Sequence, residues 1–103
     1  MGKKYSETTS IPETGIAARD RILKALERSG FRNIRFIEET EIYLAETSVS
    51  LWSWAENIHI ATTVSENKTR LEFTSKCALP TQIIDWGKNK NNTLKFIHNI
   101  QNG

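Results

Sequence analysis

Apolar residues along this chain recur at two spacings, and the change between them divides it into helix and strand. From Ile16 to Arg28, the residues Ile16, Ala18, Ile22, Leu23, Ala25 and Leu26 fall on one side of a helical wheel. Asp20, Arg21, Lys24, Glu27 and Arg28 fall on the other, as in an amphipathic helix with one packed face. Arg19 is the exception, a cation inside the apolar arc; its aliphatic stem can run along a core and carry the head to water. Pro12 marks the approach to the helix, and either Ser10, in a capping box with Glu13, or Thr14 is suited to cap it. Gly30 is placed to end it as a left-handed C-cap, with Phe31 folding back.

The spacing then shortens to two. Ile34 and Phe36 alternate with Arg35, and Ile42 and Leu44 with Tyr43. A hairpin turning at Glu38-Glu39-Thr40 sets Phe36 opposite Ile42 and Ile34 opposite Leu44, all on one face. A second alternation runs through Ile58, Ile60, Thr62 and Val64, and a third through Leu71, Phe73, Ser75 and Cys77. Ser65-Glu66-Asn67-Lys68 supplies the turn between them, pairing Ile60 with Phe73 and Thr62 with Leu71. Apolar pattern and loop length agree on that register. A polar, threonine-rich stretch from Lys4 to Ser10 suits a short edge strand. Helical spacing returns from about Asn89 to Ile100, where Leu94, Phe96, Ile97 and Ile100 share a side.

These elements predict an α+β two-layer sandwich: an antiparallel sheet of four to five strands with an N-terminal and a C-terminal helix on one face. The opposite sheet face would carry Arg35, Tyr43, His59, Thr63, Arg70, Glu72, Thr74 and Lys76. At 103 residues the chain is one domain, with residues 1–13 an arm or edge strand and residues 14–101 the core.

Charge narrows the partners. A net charge of +2, with both signs mixed along the chain, argues against a nucleic-acid surface held by bulk electrostatics. No apolar run approaches the ~20 residues of a membrane helix. The single Cys77 rules out an internal disulfide framework and suits a reducing, cytoplasmic setting. Met-Gly-Lys-Lys-Tyr-Ser lacks an apolar signal core; Gly2 and Ser6 match only the loose acylation pattern.

The densest chemistry lies in Asp85-Trp86-Gly87-Lys88-Asn89-Lys90-Asn91-Asn92-Thr93. Read as a calcium loop from Asp85, it puts Lys90 where glycine is required and Phe96 where a bidentate glutamate is required. Read as a phosphate loop, it lacks the upstream glycine and the hydroxyl residue after lysine. Local structure accounts for it: an Asx-type turn at Asp85, with Asn89 or Asn91 capping the last helix. The two histidines, His59 and His98, do not pair, and no further residues complete a zinc site; no metal or cofactor is expected. Cys77 continues the Leu71-Phe73-Ser75 face as a buried thiol. Trp52, Trp54 and Trp86 either fill the ends of a small core or line a groove.

Two stretches carry a resemblance. Ser-Leu-Trp-Ser-Trp-Ala-Glu-Asn-Ile-His-Ile, and then Thr-Ser-Lys-Cys-Ala-Leu-Pro-Thr-Gln-Ile-Ile-Asp-Trp-Gly-Lys-Asn-Lys-Asn-Asn, resemble small, mostly bacterial domains of unknown function. Those domains carry Ser-Trp-Gly-Glu-x-Ile and a Ser…Pro-x-Gln…Asp-Trp-Gly-Lys-Asn…Asn segment before a helix. The matching positions are Ser53, Trp54, Glu56 and Ile58, then Ser75, Pro80, Gln82, Asp85, Trp86, Gly87, Lys88, Asn89 and Asn92, with Ala55 where the pattern has glycine. The resemblance spans roughly residues 14–100 and implies a bacterial, intracellular α+β module, without a reaction to carry over.

Two functions are expected in consequence. One is a non-catalytic binding or accessory module, taking a partner protein or small ligand through the open sheet face and a tryptophan-rich rim. It draws on Trp54, Glu56, His59, Arg70, Lys76, Asp85, Trp86 and Lys88, in a monomer or homodimer. The alternative is a small hydrolase or isomerase using Glu56, His59 or Asp85 as acid or base, which requires those groups to converge. The absence of a catalytic signature favours the first.

Overall fold

The computed structural model describes residues 4–47, 56–77 and 86–102. In chain order these form β1 (Lys4–Ile11), α1 (Gly15–Arg28), β2 (Arg32–Ile37), β3 (Ile42–Glu46), β4 (Glu56–Ser65), β5 (Lys68–Cys77) and α2 (Trp86–Asn102). Among the described residues the strands make one antiparallel sheet, ordered β1-β5-β4-β3-β2. Both helices pack on the same face, so the fold is the expected two-layer α+β sandwich.

The β4–β5 hairpin has the register its alternation demands, with Ile60 opposite Phe73 and Thr62 opposite Leu71. Ser65 pairs with Lys68, leaving Glu66 and Asn67 as a two-residue turn, both with positive φ (53° and 65°). That is the type I′ pattern, whose twist matches the strands it joins. Phe73, fully buried on this hairpin, is stacked with Phe96 of α2 (centroids 4.7 Å apart) and with Phe31 (6.2 Å). Such ring pairs contribute about 0.5–1.5 kcal/mol each beyond the area they bury. They join sheet, α2 and the chain leaving α1.

Helix α1 buries Ala18, Ile22, Ala25 and Leu26, as its periodicity predicts. It ends in a Schellman motif: Phe31 N–H donates to the Leu26 carbonyl (3.2 Å) and Gly30 N–H to that of Glu27 (3.0 Å). Gly30 sits at φ 80°, in the left-handed region where a side chain is strained. At the other end, Thr14 occupies the N-cap without a side-chain bond, and Ser10 belongs to β1, so the expected caps do not form. Glu13 is instead engaged by Arg21, whose Nη1 lies 2.9 Å from both carboxylate oxygens, while Arg21 Nε donates to the Ile100 carbonyl of α2 (2.8 Å). Ile16, expected on the packed face, is 72% exposed because it lies in the first turn of the helix, at its rim.

Three further expectations change. In the first hairpin Phe36 pairs with Tyr43 and Ile37 with Ile42, one residue from the expected register. Glu41, at φ 54°, closes a four-residue loop over residues 38–41, and a register shift lies between Arg32 and Arg35, where Asn33 has φ 52°. A one-residue slip turns every side chain over, so Tyr43 and Ala45 face the core and Ile42 and Leu44 face outward. Tyr43, placed on the outer face by simple alternation, packs 4.7 Å from Phe36 by ring centroids. Next, α2 begins at Trp86, three residues early, which puts Asn89 and Asn91 inside the helix rather than at its cap. Last, Leu94 is 49% exposed. At 3.6 residues per turn it stands roughly 160° from Phe96, and the buried arc runs through Asn92, Thr93, Phe96 and Ile100.

Candidate functional site

Strand parity sorts the candidate residues. On β4, Glu56, Ile58 and Ile60 point inward, and Asn57 and His59 point outward. Thr74 and Lys76 of β5 lie beside these outward residues, and Arg70 and Glu72 continue the face towards the β4–β5 turn. Glu56 and His59 therefore stand on opposite sides of the sheet and share no pocket. Trp54 and Asp85 lie outside the described residues, as do Trp52 and Pro80. Trp86 and Lys88 belong to the first turns of α2, and Cys77 ends β5, but their side chains also lie outside the description.

The outer face is organised in rows, because antiparallel partners line up across the sheet. One row runs Arg35, Leu44, His59, Thr74, Ser6 across all five strands. It ends in a 3.0 Å hydrogen bond between the Ser6 and Thr74 hydroxyls. Next to it run Glu46, Asn57 and Lys76. Together these strands hold a shallow groove of about 420 Å³ lined by Arg35, Leu44, His59, Thr74 and Lys76, with Asn57 and the β3–β4 backbone beneath. Leu44, half-buried, is its apolar floor, and the cationic heads of Arg35 and Lys76 stand at either side. The acidic neighbour Glu46 is held at the edge, accepting a hydrogen bond from Asn33 Nδ2 (3.0 Å). Arg70 lies apart, in a smaller depression with Ala61, Thr63 and Glu72. Simple alternation missed Leu44, which only the shifted register brings to this face.

A second group of polar residues lies inside. Glu56 is fully buried, and its Oε1 accepts a hydrogen bond from Thr47 Oγ1 (2.9 Å); the same hydroxyl accepts the Glu56 backbone N–H (2.8 Å). Ser75 and Thr93 are also fully buried, and Asn92 Nδ2 donates to Ser75 Oγ (3.3 Å). Glu56 is thus tied to the residue after β3, and Ser75 near the end of β5 to Asn92 of α2. Burial of hydrogen-bonding side chains requires partners, and these elements supply them to one another. Thr47, Asn92 and Thr93 were not read as buried from the sequence, where polar residues among apolar ones look like breaks in the pattern.

No family model matches the chain, and no curated protein matches it significantly. Among the described residues no helix is long and apolar enough to cross a membrane.

Proposed function

We propose that the protein is a non-catalytic binding module that takes an acidic segment of a partner protein on the open face of its sheet. The observation that carries this reading is the Arg35–Leu44–His59–Thr74 row with Lys76 beside it, on a face that neither helix covers. An apolar floor with a cation on a strand to either side suits a segment in which carboxylates flank an aliphatic side chain. Charge complementarity of that kind sets partner choice and encounter rate more than raw affinity. The buried Glu56 group supports the role of scaffold at the other side of the sheet, and Glu56 with His59 forms no acid–base pair that a hydrolase or isomerase would use.

The test is an amide-resolved NMR titration with a short synthetic peptide alternating glutamate and leucine, against its lysine–leucine counterpart. The acidic peptide is expected to move the amides of Arg35, Leu44, His59, Thr74 and Lys76, less so at high salt. The double variant Arg35→Glu, Lys76→Glu should weaken it about tenfold. Equal binding of both peptides, or shifts on the helical side, would remove the proposal.

A further inference from the structure

Where α1 begins, its first two turns, the β2–β3 loop and the far ends of β4 and β5 leave a cavity of about 190 Å³ between the two layers. Ile16, Ile22, Phe36 and Val64 give it apolar walls, and Arg19 and Tyr43 give it polar groups. We infer that this cavity is a binding site for a small monocarboxylate with an apolar body.

Arg19 is the first reason. A guanidinium carries five N–H donors in a planar fork matched to a carboxylate. Arg19 places that group 4.5 Å from the centre of the Phe36 ring, within the apolar arc of α1. Among the described residues no carboxylate comes within ion-pairing distance of it, although its helix neighbour Arg21 is fully engaged with Glu13. Glu41 also lines the cavity but is exposed, whereas Arg19 is half-buried, so the cation stands nearer the interior.

The second reason is Tyr43. Burial pushes its phenol above the usual tyrosine range, an effect the adjacent Arg19 charge partly offsets. A phenol is neutral at physiological pH in any case, and this one lines the cavity next to the cation. A guanidinium and a phenol side by side make a donor set for one anionic head.

The third reason is the mouth. Ile16 is 72% and Val64 56% exposed, two large aliphatic side chains bared on opposite elements at one opening. Together with the walls they provide for the rest of the ligand. Benzene fills an apolar protein cavity of ~150 Å³, which sets the size class: a single ring or a short chain.

Benzoate and octanoate are the probes, with benzyl alcohol and octanol as their neutral counterparts, titrated into labelled protein and followed by NMR. Saturable shifts are expected at Ile16, Arg19, Tyr43 and Val64, with each carboxylate at least about tenfold tighter than its alcohol. Arg19→Gln should erase that preference. Val64→Glu, on an exposed side chain that leaves the core intact, removes an apolar wall and adds a negative charge, and should weaken the carboxylates more than the alcohols. The inference is overturned if neither carboxylate saturates, if alcohols bind as tightly, if Val64→Glu weakens both classes equally, or if the shifts map to the Arg35–Lys76 face.

Discussion

Glu56 brings a carboxyl group fully inside, at the start of β4. Its bonds to Thr47 tie the start of β4 to the residue that follows β3, so its role reads as structural. Removing it leaves both a cavity and a buried Thr47 hydroxyl without its acceptor. Glu56→Ala is therefore expected to cost about 2–4 kcal/mol in urea denaturation, and Glu56→Gln, which keeps an acceptor oxygen, less than half of that. A gain in stability from Glu56→Gln would instead mark a residue kept at the expense of the fold, as functional groups are. Parity along β4 already groups Glu56 with Ile58 and Ile60 in the sequence. What parity does not reveal is its partner, because Thr47 lies beyond the end of β3, in a different segment of the chain.

Among the elements, the β4–β5 hairpin was readable in full, because two independent signals specify it: strict alternation on both strands and a short polar loop. The β2–β3 hairpin was not. Its register goes with positive φ at Asn33 and Glu41, a conformation that asparagine visits more readily than most residues and glutamate seldom, so the sequence does not mark it at Glu41. Once the register slips, Tyr43 goes in and Leu44 comes out, and the apolar floor of the candidate groove appears only then. The start of α2 was hidden for a related reason: the residues of its first turn have no apolar periodicity. The type I′ turn offers a direct check at this scale. Asn67, at φ 65°, accepts glycine without strain. Asn67→Gly should raise stability by about 0.5–1 kcal/mol, visible as a higher midpoint with an unchanged denaturant slope; a loss would mean that the turn is not of this type.

At the scale of the whole molecule, the described residues form a single sheet whose one face is covered by both helices, and the two candidate ligand sites lie on different sides of it. The groove of Arg35 and Lys76 faces solvent, and the cavity of Arg19 and Tyr43 opens between the layers. The outward positions of His59, Arg70 and Lys76 followed from alternation alone; that Arg19 stands over an aromatic ring in a cavity did not, since a wheel shows an angle and not a neighbour. The strand order also has a kinetic meaning. β1 lies at the sheet edge against β5, with Lys4 opposite Lys76 and Ile11 opposite Thr69, so β1 waits for a strand made some sixty residues later. Closing so long a loop costs entropy before any contact rewards it, whereas β4 and β5 meet across two residues. Ile60→Val is thus expected to slow folding, and Ile11→Val, each costing about 1 kcal/mol, to speed unfolding and leave the folding rate nearly unchanged. A slowed refolding of Ile11→Val in stopped-flow would put β1 in the nucleus. Otherwise the edge strand closes last, and a chain still emerging from the ribosome carries β1 unpaired until β5 has been made.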